Sequence, residues 1–380
     1  MECNILDFLK EFFSNTGFAK IGVEHFIMIS VGLGALYMGV FKKLAPILLV
    51  PIGFGILIGN IPFPGIQAGT YEPVFDFFYL GMSKGIYPAL IFLGLGAMID
   101  FSVIISNPKL VLVGIAAQIG IFVAFLLAIG FGFELGEASA MSIIASADGP
   151  SSIFLASRLS SDLLSVIAIS AYTYMALTPI VQPHIMRWLT KPSERVIKMP
   201  PARAVSQTEK IIFPIAGFLI TCFLVPTALP LLGMLFFGNF LKECGVTKRL
   251  ADTVGGSLSD IVVIMIGLTL GISTQASTFF TTQSVMIFGI GAVAFCIATA
   301  SGVIFVKLMN LFLKDGQKVN PLIGNAGVSA LPDAAKLSQE MGLKYDSTNH
   351  LQMHAMGPTV ASIIGSALVA GLMLSFSSVL

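Results

Sequence analysis

The residue type and setting most suited to chemistry in this chain is an acid among apolar neighbours. Asp148 stands in Ser142-Ile-Ile-Ala-Ser-Ala-Asp-Gly-Pro-Ser-Ser152, and Ile153-Phe-Leu-Ala follows, so the carboxylate falls inside an apolar stretch. A bare carboxylate at the centre of a bilayer costs ~2.5–3.5 kcal/mol on insertion scales, which makes an intramembrane acid a candidate functional site by default. Gly149-Pro150 follows at once. Proline removes a backbone donor and clashes with the preceding turn, and broken backbone at membrane depth survives only where protein or a water-filled cavity covers it. Ser146, Ala147, Gly149, Ser151 and Ser152 frame the acid with small and hydroxyl residues. Their free carbonyls and hydroxyls are hard oxygen ligands, suited to a small cation. The competing reading is an acid that caps a short helix at the interface.

A second constellation runs Asn320-Pro-Leu-Ile-Gly324-Asn-Ala-Gly-Val-Ser329-Ala-Leu-Pro332-Asp333-Ala-Ala-Lys336. Asn320, Asn325 and Ser329 offer neutral oxygens, and Gly324 and Gly327 permit close backbone approach. Combined with one carboxylate, this donor set suits Na⁺ better than a divalent ion, which recruits more acids. The alternative is a helix-packing face of small residues. Tyr172, Tyr174 and His354 could pass a proton, although an intramembrane tyrosine also serves as an interhelix hydrogen-bonder. Asp260 reads as a helix cap or a weaker ion ligand. Lys336 reads as an attractor of an anionic group or as a topology lysine.

These groups need membrane helices to position them. Of 380 residues, 56% are hydrophobic and only 11% charged, against about 25% charged in a soluble domain. The chain therefore reads as an all-α polytopic membrane protein. Its four cysteines (Cys3, Cys222, Cys244, Cys296) show no metal or disulfide spacing, and residues 1–20 lack the apolar run of a signal peptide. Residues 5–13 form a short amphipathic stretch, expected at the interface within an N-terminal segment 1–22. Spans are expected near 23–41, 45–60, 85–101, 109–132 and 162–187, then near 211–227, 229–241, 257–274, 284–306 and 350–376. A polar linker (189–210) divides a first membrane repeat (23–188) from a second (211–380). The small-residue stretches 139–158 and 320–338 are expected as re-entrant or broken elements, one per repeat.

Three landmarks recur at one offset: Gly59-Asn60 and Gly238-Asn239, Ser146 and Asn325, and Pro179 and Pro358 are each 179 apart. With five spans per half and the linker cytoplasmic, 17 of the 21 Lys and Arg fall inside, leaving Lys10, Lys20, Lys84 and Arg158 outside. An odd span count inverts the repeats, the architecture in which broken helices meet near the midplane around an ion or substrate. Both termini then lie outside. Phosphate-cradling loops and hydrolase signatures are missing from the sequence, so the energy for ion movement is expected from a gradient, a partner or a small-molecule reaction.

Four segments in order resemble one family. They are Ala145-Ser-Ala-Asp148-Gly-Pro-Ser, Ala171-Tyr-Thr-Tyr174-Met-Ala-Leu-Thr-Pro-Ile-Val-Gln-Pro, Asn320-Pro-Leu-Ile-Gly-Asn-Ala-Gly-Val-Ser-Ala and Met353-His-Ala-Met-Gly-Pro. The chain is similar over nearly its whole length to the β subunit of the sodium-pumping biotin-dependent decarboxylases, which act in complexes on oxaloacetate, methylmalonyl-CoA, glutaconyl-CoA or malonate. The resemblance implies an enzyme that decarboxylates carboxybiotin carried on a separate biotin carrier, consumes a proton and exports Na⁺ across the bacterial cytoplasmic membrane. It implies a carboxyltransferase α subunit, a small single-span γ subunit and several β subunits as partners. It assigns catalysis to Asp148 and Tyr174, and Na⁺ to Asp148, Asn320, Gly324 and Ser329.

Departures qualify the mapping. Ala-Ser-Ala-Asp replaces the usual Gly-Gly-Ala-Asp. Lys336, the expected catalytic and carboxybiotin-binding cation, stands where Arg is common and loses bidentate recognition. Thr359 replaces a frequent Asn as a weaker Na⁺ ligand, and residues 61–84 are short where some members carry an insertion. The rival function with the same architecture is a Na⁺/carboxylate symporter or Na⁺/H⁺ antiporter. A third reading is a non-transporting scaffold.

Overall fold

A computed structural model describes residues 12–62, 73–314, 316–330 and 332–377. Most of the amphipathic stretch expected at 5–13 lies outside these residues. Every regular element among them is helical. The elements that matter are α1 (Val23–Val40), α2 (Pro46–Gly59), α3 (Pro73–Ser83), α4 (Ile86–Met98), α5 (Lys109–Ala117), α6 (Ile119–Gly130), α7 (Leu135–Ser142) and α8 (Gly149–Leu159). They continue with α9 (Leu164–Leu189), α10 (Gln207–Leu224), α11 (Leu229–Glu243), α12 (Ser259–Ser273), α13 (Thr282–Phe312), α14 (Asp333–Tyr345) and α15 (Gln352–Ser377). A helix answers each expected span.

Among the described residues, seven helical segments are long and apolar enough to cross a membrane, or eight if the bent pair α3 and α4 counts as one span. Helix α2 is shorter, at 14 residues, or ~21 Å at 1.5 Å per residue against a hydrocarbon core of ~30 Å. It begins at Pro46 and ends at Gly59, residues suited to those positions.

The chain falls into two compact units. One comprises Met1–Lys84 with Asp260–Val285, the other Gly85–Ser259 with Met286–Leu380. Within the first, α2 meets α12 so closely that a Cβ on Gly59 would run into the Ile272 carbonyl. Next to it, Asn60 Nδ2 donates to the Thr274 carbonyl (2.8 Å). Within the second, a Cβ on Gly238 would run into the Leu93 carbonyl, and Asn239 Nδ2 donates to the Gly96 carbonyl (3.2 Å). Gly59 and Gly238 are 179 apart, and so are Leu93 and Ile272. The same contact is thus made twice, each time between the two halves of the chain.

The core of the second unit gathers Phe92 from α4, Phe154 from α8, Leu231, Leu232, Leu235 and Phe236 from α11, and Val360, Ile363 and Ala367 from α15. Burying one such side chain contributes about 1.5–3 kcal/mol. This packing fixes α8 and α15 against each other, and those two helices carry the site.

Candidate functional site

The first broken element is built from a helix that cannot continue. After α7 the chain tightens into a 3₁₀ turn (Ile143–Ser146), and Ala147 adopts a left-handed conformation (φ 50°). That conformation is strained for a residue with a Cβ, and it reverses the chain so that Asp148 becomes the N-cap of α8. Pro150 sits in the first turn of α8, where its missing donor costs nothing. Asp148 Oδ1 accepts from the Ser151 backbone N–H (3.1 Å), and Oδ2 from the Ser151 hydroxyl (2.8 Å). Oδ2 also accepts from the Ser366 hydroxyl on α15. The acid is 4% exposed, and no Lys, Arg or His among the described residues forms an ion pair with it. A helix N-terminus and three donors favour its negative charge, while the absence of a paired cation leaves that charge open to a mobile one. Asp148 is thus an N-cap and, at the same time, a buried acid.

The second broken element is pinned at its start. Asn320 Oδ1 accepts from the Leu322 N–H (2.9 Å), capping the 3₁₀ helix Pro321–Gly327, while Nδ2 donates to the carbonyls of Arg195 (2.9 Å) and Ile197 (2.8 Å) in the linker. Gly324 passes against the backbone of Gly302 and Val303 on α13, where a Cβ would not fit. Asn325 Nδ2 donates to Gln182 Oε1 (2.8 Å) on α9 and to the Ala334 carbonyl (3.0 Å), and its Oδ1 accepts from the Ser338 hydroxyl (2.6 Å).

The two elements meet where the Ser329 N–H donates to the Ser146 carbonyl (2.9 Å). Ser329 Oγ lies 2.8 Å from Ser362 Oγ on α15, and Gln118 Nε2 donates to that same hydroxyl (2.9 Å). Ser362 and Ser366 are one helical turn apart, so α15 holds Asp148 with one hydroxyl and Ser329 with the other.

Of the residues singled out from sequence, Asp148 and Ser329 share this neighbourhood. Thr359, fully buried one turn before Ser362, spends its hydroxyl on the Ala355 carbonyl (3.1 Å). Asn320 and Gly324 hold the element in shape rather than touching the acid. Tyr174 donates its hydroxyl to the Phe288 carbonyl and stacks on Phe295 (centroids 5.8 Å apart). Its neighbour Tyr172 is the tyrosine that covers the Asp148 loop, with its ring against Gly149. Lys336 lies more than half exposed, its ammonium 4.0 Å from Asp333. Asp260 is exposed and belongs to the other unit. His354 is half-buried on α15. Sequence reasoning missed Ser366, Ser362 and Gln118. The available signals were the spacing of Thr359, Ser362 and Ser366 along one face of an apolar helix and the lone amide in the apolar run 110–132.

The fold and site define a polytopic helical membrane protein with a buried carboxylate where two broken elements meet. The family described as the Na⁺-transporting oxaloacetate decarboxylase beta subunit matches residues 24–377, and the chain belongs to it. It is 47% identical over 394 residues to the methylmalonyl-CoA decarboxylase subunit beta of Propionigenium modestum (98% of this chain, 99% of the relative). It is 45% identical over 367 residues to the glutaconyl-CoA decarboxylase subunit beta of Acidaminococcus fermentans (97% of each). It is 40% identical over 431 residues to the oxaloacetate decarboxylase beta chain of Klebsiella pneumoniae (98% of this chain, 99% of the relative). The expected family, and with it a membrane decarboxylase subunit coupled to Na⁺ transport, is therefore established.

Proposed function

We propose that the chain decarboxylates carboxybiotin delivered on a partner's biotin carrier and couples the step to Na⁺ export across the cytoplasmic membrane. The observation that carries this reading is the Asp148 carboxylate: buried, without a cationic partner among the described residues, and held by hydroxyls and one backbone N–H. Loss of CO₂ from the carboxylated ureido nitrogen leaves that nitrogen needing one proton. An acid that holds Na⁺ when ionised and releases it when protonated links the proton to the ion. Asp148 is that acid. Ser329 supplies a neutral oxygen, Asn320 and Gly324 keep its element in register, and Thr359 supports the same face of α15.

Lys336 and Tyr174 enter on the family resemblance. Lys336 is an exposed ammonium with only a weak surface partner, free to meet the carboxylate of carboxybiotin. Tyr174 would have to surrender its bond to the Phe288 carbonyl before moving a proton.

Orientation is supported by contacts of the linker. Lys198 pairs with Asp346 (3.3 Å), Arg195 Nη1 donates to the Tyr345 hydroxyl (2.7 Å), and Lys307 pairs with Glu194 (3.4 Å). The linker and the approach to α15 thus share one side, and their Lys and Arg content supports its assignment as the cytoplasmic one. Both termini then face outward, and the Gly59 and Gly238 contacts support two inverted repeats. The complex would add a carboxyltransferase α subunit, a biotin carrier and a small single-span γ subunit around several β subunits. The test is Asp148→Asn in the assembled complex. Decarboxylation and Na⁺ transport should vanish together while the protein remains in the membrane. A variant that keeps decarboxylating with normal Na⁺ dependence would reduce the acid to a cap.

A further inference from the structure

Gln118 interrupts a membrane span between α5 and α6. Its backbone N–H bonds to the Ile115 carbonyl (3.0 Å), three residues back. The Gly114 carbonyl, which a continuous helix would have satisfied from that N–H, instead faces the Gln118 side-chain Nε2 (3.3 Å). The same nitrogen donates to Ser362 Oγ (2.9 Å) and lies 3.4 Å from the Ser362 carbonyl. Two backbone carbonyls thus fix which end of the amide carries the N–H groups. Gly365 makes the space, since a Cβ there would come within 3.2 Å of Nε2.

The oxygen end is different. Gln118 is 5% exposed, and its Oε1 is buried with no hydrogen-bond partner. A buried amide oxygen left unmatched is costly, and an ion is one of the few things that satisfies it. The Nε2 of the same amide holds Ser362 Oγ, and Ser329 Oγ lies 2.8 Å from that hydroxyl, so two hydroxyl oxygens stand close to the Gln118 amide. Among the described residues no cluster of three His, Cys, Asp or Glu exists to hold a divalent metal. Neutral oxygens in a dry setting are suited to a monovalent ion that must also leave.

We infer that Gln118 is a ligand of the transported Na⁺, its Oε1 acting with the hydroxyls of Ser362 and Ser329. The inference rests on the reading that the Asp148–Ser329 neighbourhood handles Na⁺, and it extends that site to a residue of the α5–α6 break. Gln118 then has two tasks: its nitrogen closes the break, and its oxygen faces the ion.

The test is thermal unfolding of the purified complex against NaCl, with choline chloride holding ionic strength constant. Gln118→Met keeps length and removes the oxygen; Ser362→Ala removes the neighbouring hydroxyl. Each should raise the Na⁺ concentration for half-maximal stabilisation about tenfold, the consequence of one polar contact left unmade. Gln118→Glu should lower that concentration. If Gln118→Met and Ser362→Ala titrate like the unsubstituted protein while Asp148→Asn shifts, the inference fails and the Asp148 site stands. If the unsubstituted protein shows no Na⁺-dependent stabilisation, the Na⁺ reading of the whole neighbourhood fails. Should Gln118→Met not fold, Ser362→Ala decides by the same criterion.

Discussion

Ser366→Ala removes a single hydroxyl from the middle of α15, where alanine is the best helix former, so the helix itself should not suffer. What is lost is the bond from Ser366 Oγ to Asp148 Oδ2, the one hydrogen bond between the acid and α15 among the described residues. The two remaining donors, the N–H and hydroxyl of Ser151, both belong to the turn that Asp148 caps. A hydrogen bond to a charged group contributes ~1.5–3 kcal/mol. At about 1.36 kcal/mol per decade this corresponds to a roughly ten- to hundredfold loss of rate. Ser366 Oγ also lies 3.1 Å from the Ile363 carbonyl, and Asp148 Oδ2 keeps the Ser151 hydroxyl, so the lower end, about tenfold, is expected. The assay is carboxybiotin-dependent decarboxylation together with ²²Na⁺ movement in vesicles containing the assembled complex. Both rates should fall in step, because one carboxylate serves both. Ser366→Cys, which keeps nearly the same volume and a weaker donor, should fall between. A Ser366→Ala protein with unchanged rates and Na⁺ dependence would refute the role of α15 in holding the acid. So would equal losses in the Ala and Cys variants, which would mark a packing defect.

Other outcomes follow from the geometry. Gly59→Ala and Gly238→Ala each drive a methyl into a carbonyl, Ile272 and Leu93 respectively, and should lower thermal stability by similar amounts, about 1–3 kcal/mol or more for overpacking; a benign change at either would count against the matched contacts. Asn320→Ala leaves the Leu322 N–H without its cap and the Arg195 and Ile197 carbonyls with Asn349 as their remaining side-chain donor, and should cost ~1–3 kcal/mol of stability with little effect on the Na⁺ concentration for half activity, whereas Ser329→Ala should shift that concentration upward; kinetics and unfolding on the same samples separate the two. Cysteines at Ser193 and Ser347 should react with an impermeant label only from the cytoplasm, and labelling of either from outside in intact cells would overturn the orientation.

How far the sequence could be read depends on what breaks a helix and what merely lines it. Asp148 and the 320–338 element were visible because charge, proline and paired glycines are expensive or disruptive in an apolar span, and each leaves a mark one residue wide. The helices were visible by the same logic of apolar runs. The partners of Asp148 and Ser329 were not. A serine in a membrane helix satisfies itself on the carbonyl three or four residues back, as Ser139 and Ser142 do here, so Ser362 and Ser366 look like any packing serine until another element approaches. Tyr172 and Tyr174 illustrate the same limit: two residues apart on α9 they point to different sides, and only the packing decides that Tyr172 covers Gly149 while Tyr174 turns to Phe288 and Phe295. Gln118 was the most legible of the missed residues. An amide amid an apolar run must find partners for both its ends, and the structure supplies them for the nitrogen alone. The helix that joins the two broken elements carries Thr359, Ser362 and Ser366 at steps of three and four. That is a polar stripe on an otherwise apolar cylinder, and a stripe so placed has to face protein or an ion.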